Sequence, residues 1–216
     1  MQNIYDALFH ISPAARPNTS GLGTLCGHNI ITCAHIHDQL PVKLDEDSLF
    51  DVRRVHDGKE ATFAMLFGST LDVLVLSPDS MFVGLAEGDG PTASALDMYY
   101  EYIDCHTPIK PALISFKPGS KTAIVDGFFF APDVKTVHKA QFYLEDGSPY
   151  IRFSSHDVQC GCSGGPLFTK ELKLIGVLTN LDNAGQIGAK ECFGRRIDSC
   201  LPVCVYPQMD FETVVL

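Results

Sequence analysis

Short apolar runs separated by turn residues are the feature that most constrains this chain. Asn29-Ile30-Ile31-Thr32, Asp72-Val73-Leu74-Val75-Leu76, Thr122-Ala123-Ile124-Val125 and Gly127-Phe128-Phe129-Phe130 are such runs. Gln141-Phe142-Tyr143-Leu144, Tyr150-Ile151-Arg152-Phe153 and Leu174-Ile175-Gly176-Val177-Leu178 continue the series. Asp57-Gly58, Pro118-Gly119 and Asp146-Gly147 stand between runs as turn signals. Long helical periodicity is absent, so the pattern predicts an all-β fold. Many short strands in one chain of this length fit a pair of small barrels or a sandwich. Residues 5–11 are read as one or two turns of helix at the entrance. Residues 87–101 contain Gly, Pro and Ala and lack strand pattern, so they are read as a connection between two β lobes. That divides the chain into a lobe at 1–86, a linker at 87–101, a second lobe at 102–205 and a tail at 206–216.

Composition narrows the classes of function. With 216 residues, 45% of them hydrophobic, the chain can bury a sizeable core without disulfides. A net charge of -10 argues against nucleic acid as a partner, because a nucleic-acid footprint is basic. No apolar run approaches the roughly 18 residues of a membrane span. The first residues lack the basic and apolar regions of a signal peptide. Eight cysteines permit a disulfide framework, but a core of this size does not need one. Cys160-Gly161-Cys162 with Cys200 and Cys204 offers a zinc alternative, yet these pairs lack the usual two-residue spacing. Free, mostly buried thiols are the simpler reading, with no metal and no cofactor expected.

The segment Gly161-Cys162-Ser163-Gly164-Gly165-Pro166-Leu167 carries the most chemical information. A serine hydroxyl is a poor nucleophile until a base removes its proton. Attack on a carbonyl then needs donors aimed at the oxyanion. Glycines flanking the serine allow a tight turn whose successive N–H groups face one hollow. A Gly-rich turn between strands needs only a bare Gly-x-Ser-Gly, whereas the longer motif followed by a strand is far rarer.

Three segments together resemble the chymotrypsin-like proteases. The first is the serine motif. The second is Leu25-Cys26-Gly27-His28-Asn29-Ile30-Ile31-Thr32-Cys33-Ala34-His35, similar to the family's strand, turn and strand leading to Thr-Ala-Ala-His. The third is Leu71-Asp72-Val73-Leu74-Val75-Leu76, similar to an Asp followed by alternating apolar residues. The order His, Asp, Ser is the family's order, and the intervals of 37 and 91 residues are compatible with it. The resemblance implies two six-stranded Greek-key barrels. His35 and Asp72 would lie in the first lobe and Ser163 in the second. Ser163 would be the nucleophile, His35 the base, Asp72 its orienting acid, and the N–H groups of Gly161 and Ser163 the oxyanion hole. Asp45, Asp47, Asp51 and Asp57 are rivals for the acid, but none precedes an alternating apolar strand. Cys162 is a rival nucleophile, but viral relatives place Gly directly after theirs, and only Ser163 has that neighbour.

The resemblance also places substrate contacts. Leu174-Ile175-Gly176-Val177-Leu178-Thr179 resembles the strand that lines the specificity pocket, which makes Leu178, Thr179 and Asn180 substrate-facing. Asp157, six residues before Ser163, falls at the pocket floor of trypsin-like members, where it would select Lys or Arg. Otherwise it is a solvated carboxylate or a partner of Arg152, Arg195 or Arg196. Viral 3C-like relatives read glutamine with a hydroxyl residue and a histidine at the positions held here by Val158 and Leu178. Both are apolar, so that pair is missing.

Departures from the digestive enzymes sharpen the implication. Cys162 stands where zymogen-type members carry an aspartate. No Ile-Val-Gly-Gly start is present, and Ile36 occupies a disulfide position. This favours a protease active as made in a reducing, cytoplasmic compartment. It looks most like the serine-using 3C-like main proteases of arteriviruses and related nidoviruses, whose substrate is the viral polyprotein. A cellular or bacterial trypsin-like protease is the alternative enzyme, and a catalytically silent binding module is the alternative of another class.

Overall fold

The structure, a computed structural model, describes residues 2–14, 20–27, 29–37, 49–68, 72–77, 109–181, 190–201 and 210–216. A helix α1 (Gln2–Asp6) leads into six strands: β1 (Leu8–Pro13), β2 (Gly21–Cys26), β3 (Asn29–Thr32), β4 (Leu49–Arg54), β5 (Glu60–Gly68) and β6 (Leu74–Ser77). They close a barrel in the order β1-β2-β3-β6-β5-β4. After β7 (Ala112–Ser115), six more strands follow: β8 (Thr122–Phe130), β9 (Val137–Glu145), β10 (Tyr150–Ser155), β11 (Pro166–Thr169), β12 (Leu174–Leu181) and β13 (Lys190–Arg196). They close a second barrel in the order β10-β13-β12-β11-β8-β9. Counted from its own first strand, each barrel runs one, two, three, six, five, four. Both are therefore wound as the same Greek key, with no repeat in the sequence to announce it. Closing both sheets removes the open edges on which strands of different molecules pair.

Three apolar clusters explain the strand patterns. Phe9, Ile11, Leu25, Ile30, Phe50, Val52, Phe63 and Leu76 fill the first barrel. Phe129, Phe142, Leu144, Ile151, Phe153, Leu167 and Ile175 help fill the second. Between the barrels lies a third cluster. It takes Leu22, Cys26, Ile31, Val73 and Val75 from one side and Phe128, Phe130, Phe168 and Val177 from the other. Neighbours in sequence therefore serve different clusters: Ile30 turns inward and Ile31 outward. Strands at this seam are buried on both faces, which is why Asn29–Thr32 and Pro166–Thr169 read as continuous apolar runs rather than alternations.

One expectation changes. The helix expected at 5–11 ends at Asp6. Residues 8–13 are instead the first barrel strand, with alternation of buried and half-buried positions as a two-residue period requires. The end of the chain is also structured: β14 (Glu212–Val215) pairs in parallel with β7. The boundaries expected at 86, 101 and 205 fall outside the described residues. Among the described residues, no helix is long and apolar enough to cross a membrane.

A buried ion pair fastens the second barrel to β7. Arg196 Nη2 donates to Asp198 Oδ2 at 2.8 Å, and both side chains are buried. Asp198, in the short helix α2 (Ile197–Cys200), also accepts the Ile114 N–H at 2.9 Å. Asp198→Ala leaves a buried guanidinium without its carboxylate, a loss of about 3–5 kcal/mol. Urea unfolding checks this, and a shift under about 1 kcal/mol would refute it.

Candidate active site

His35 sits in a 3-10 turn (Ala34–His37) directly after β3, and Asp72 lies just before β6. Because β3 and β6 are hydrogen-bonded neighbours, with Thr32 opposite Leu74, their ends bring the two residues together. The pairing is double. His35 N–H donates to Asp72 Oδ1 at 2.7 Å, and His35 Nδ1 lies 2.8 Å from Oδ2. Asp72 is buried and adopts φ 65°, in the left-handed region that a residue with a Cβ seldom occupies. An Nδ1–H given to a carboxylate leaves Nε2 as the lone-pair nitrogen of the ring, and the His35 side chain is 38% exposed. Cys33 Sγ approaches that Nε2 at 3.7 Å. Burial, then the Asp72 charge, push the Cys33 thiol well above its ordinary range, so it stays protonated. Of the rival acids, Asp57 is held down to about 2, chiefly by hydrogen bonding from Arg54, and Asp51 accepts from Thr62. Asp45 and Asp47 lie outside the described residues.

Ser163 precedes β11 in the second barrel, yet its main chain is fastened to the first. Its carbonyl accepts the Leu22 N–H at 2.7 Å. The next residue, Gly164, has φ +79° and donates to Leu178 O at 2.8 Å. A Cβ on Gly164 would collide with Leu22 O and Thr32 Oγ1 and crowd Cys33 N. Glycine is thus required by close approach as well as by conformation. The serine turn therefore lies against the segment that carries His35. Ser163 Oγ makes no hydrogen bond to His35 among the described contacts. Such bonds are often long until substrate is bound.

The turn itself runs through Gly161 at φ +90°, with Cys162 N–H donating to Gln159 O at 3.1 Å and Gly165 N–H to Cys162 O at 3.0 Å. The N–H groups of Gly161 and Ser163 have no partner among the described backbone bonds. Cys162 points the other way. It is 1% exposed, packed in the core of the second barrel, and burial pushes its thiol up. A buried, protonated thiol is a poor nucleophile.

The expected substrate contacts divide. Val158 and Leu178 are buried in the second core, at 2% and 3% exposure. Thr179 is also buried and donates its hydroxyl to Phe193 O at 3.3 Å. Asn180 pairs with Phe193 through the backbone, and its side chain lies outside the described residues. Asp157 meets none of the three arginines considered for it. Its Oδ2 lies 3.2 Å from His138 Nδ1. Sequence reading passed over His138. The signal was there: it heads the stripe His138, Ala140, Phe142 and Leu144, the less exposed face of β9, where an imidazole is out of place.

No protein-family model and no curated protein sequence matches the chain. Solved structures do. The active form of the Rv3671c protease of M. tuberculosis superposes with a TM-score of 0.55 at 16% identity, covering 96% of this chain and 81% of that one. A human pathogenic astrovirus serine protease gives 0.51 at 14%, covering 90% and 91%. A serine endoprotease of Yersinia pestis gives 0.52 at 15%, covering 96% of this chain but only 62% of that chain's length. The fold is the chymotrypsin-like double barrel. At these identities the likeness speaks for the fold, and the chemistry has to be argued from the side chains.

Gly164→Ala is expected to abolish turnover, because its Cβ can be housed only by moving the serine turn off Leu22. Cys162→Ala is expected to keep most turnover and to lose about 1 kcal/mol of stability. Peptide hydrolysis and thermal melting of both variants check this. The reverse ranking of activities would point to Cys162 rather than Ser163 as the reactive side chain.

Proposed function

We propose that the chain is a serine endopeptidase in which Ser163, His35 and Asp72 form the catalytic triad. The observation that carries the reading is the doubly bonded His35–Asp72 pair, which leaves Nε2 as the ring nitrogen able to accept a proton. Ser163 Oγ attacks the scissile carbonyl while His35 takes its proton. The oxyanion is met by the N–H groups of Gly161 and Ser163. His35 then protonates the leaving amine, and water, activated by the same imidazole, releases the acyl group. Asp72 fixes the tautomer and offsets the imidazolium charge. Thr179 and Asn180 lie on the strand along which the substrate backbone would pair.

The finer reading is a 3C-like protease of the arterivirus and nidovirus type, processing a polyprotein in the host cytoplasm. Three observations support it. Among the described residues Cys26, Cys33, Cys160, Cys162 and Cys200 are free thiols, as suits a reducing compartment. Cys162 is apolar and buried where an activation salt bridge would need a carboxylate. The astrovirus enzyme is matched almost end to end in both directions. The likeness to the M. tuberculosis and Yersinia pestis enzymes favours a second reading, a bacterial trypsin-like protease.

A serine-reactive fluorophosphonate tests the chemistry. The wild-type chain should label, Ser163→Ala should not, and Ser163→Ala should lose peptide hydrolysis with its fold intact. An unlabelled wild-type chain supports the silent binding module. Asp72→Asn should lower the rate by about 10⁴-fold, since the amide favours the wrong tautomer. Retention of most activity would remove Asp72 from the triad. The protein kept in reducing buffer should be active without trimming, and a need for oxidation would count against the viral reading.

A further inference from the structure

One buried thiol meets the candidate base directly, and the proposed reaction gives it no part. Cys33 follows β3, two residues before His35, and is fully buried. Its Sγ stands 3.7 Å from His35 Nε2. Asp72 holds the other ring nitrogen, Nδ1, at 2.8 Å. The sulfur therefore faces the nitrogen that keeps a lone pair, and its S–H is the donor in that contact. The His35 side chain is 38% exposed, so the ring is also within reach of solvent.

A thiolate sulfur and a neutral imidazole nitrogen are donors that zinc takes readily. With about 2.3 Å to sulfur, about 2.0–2.1 Å to nitrogen and a tetrahedral angle, two such donors on one ion stand about 3.5–3.6 Å apart. The observed separation of 3.7 Å fits that span. The outer partners fit as well. A metal-bound histidine commonly gives its other ring N–H to a carboxylate, which fixes the tautomer and makes the ligand nitrogen more basic. Asp72 already holds His35 in that way, and its charge draws a cation. Burial, then the Asp72 charge, keep the thiol protonated, while backbone hydrogen bonding from Ile36 and from Cys33 itself favours the thiolate. Metal binding therefore breaks the S–H bond: the proton leaves to solvent and the sulfur electron pair goes to the metal. No electron is transferred to or from the protein.

The cysteines whose spacing raised zinc in the sequence do not converge. Cys160 is exposed, Cys162 is packed in the second barrel, and Cys200 is in the seam between the barrels. Cys204 lies outside the described residues. Among the described residues, no three His, Cys, Asp or Glu side chains form a group able to hold a metal. Cys33 and His35 thus supply two ligands, with water for the rest. A structural zinc takes four protein ligands and stays closed. A two-ligand site fills and empties with the metal concentration.

We propose that Cys33 Sγ and His35 Nε2 form an inhibitory site for Zn²⁺, in which the metal occupies the lone pair that the base needs. The loss of turnover rests on the endopeptidase reading, whereas the binding of the metal does not.

The test uses the full chain, kept reduced by a phosphine so that no added thiol competes for metal. Peptide hydrolysis is followed against ZnCl₂, and CoCl₂ is titrated as a spectroscopic stand-in for zinc. Zn²⁺ should stop turnover, and EDTA should restore it. Cys33→Ala should keep turnover and need about tenfold more Zn²⁺ or above, since even an outer partner of a metal ligand is worth that much. Cys160→Ser, which removes the exposed thiol, should be inhibited like the wild type. Co²⁺ should give a near-ultraviolet thiolate-to-metal absorption band in the wild type and in Cys160→Ser. Cys33→Ala and Cys33→Ser should lack that band, and His35→Gln should need more Co²⁺ to show it. Fluorophosphonate labelling of Cys33→Ala reports an intact fold and triad. A labelled Cys33→Ala as sensitive to Zn²⁺ as the wild type overturns the proposal, and so does a Cys160→Ser variant without the band. A wild-type chain that cleaves nothing but shows a band lost in Cys33→Ala overturns the endopeptidase reading and leaves the metal site standing.

Discussion

The apolar seam between the barrels is the constraint on which the rest depends. It is built from the outward faces of strands whose inward faces fill a barrel core, so those strands have no solvent side. Burial of this kind is the main favourable term in folding and has no direction of its own. Direction comes from the hydrogen bonds at its rim. Thr32 Oγ1 donates to Leu22 O at 2.6 Å, Leu22 N–H to Ser163 O, and Gly164 N–H to Leu178 O. His35, Asp72 and Ser163 all stand at strand ends along this rim.

Asp72 shows how local cost and wider order are balanced there. A left-handed φ on a residue with a Cβ is unfavourable by roughly 1–2 kcal/mol. It persists because both carboxylate oxygens are engaged by one residue, through a main-chain N–H and a ring nitrogen. Hydrogen bonds to a carboxylate are about twice as strong as neutral ones. The two contacts fix different things: the backbone bond sets where the loop of His35 stands, and the ring bond sets how the imidazole is turned. The backbone contact alone would leave the ring free to turn about its side-chain bonds.

Much of this was legible in the sequence, for reasons that also mark the limits. Strand residues declare themselves through short apolar runs, and the serine motif declares itself through glycines that only a close approach would demand. The pairing of His35 with Asp72 could be expected from resemblance but not from spacing, because it depends on β3 lying beside β6. Residues 8–11 were misread as helix because a short strand of six residues ending in a proline carries little period. His138 was missed because its partner is a chain segment away, and a lone histidine in a strand carries no mark of its neighbour. The opposite fates of Cys160, exposed, and Cys162, buried, follow from a turn that points alternate side chains to solvent and core.

Among the described backbone bonds, the one from Leu22 to Ser163 ties the two barrels directly to each other. His35 and Asp72, the proposed base and acid, belong to one barrel, and Ser163, the proposed nucleophile, to the other. Each barrel can be complete, with every strand paired, while Ser163 still lies out of reach of the His35–Asp72 pair. Reactivity is then a property of the joint rather than of either part. The folding chain gains it only when the two halves come into register. A shear of the interface small enough to leave both barrels standing is sufficient to take it away.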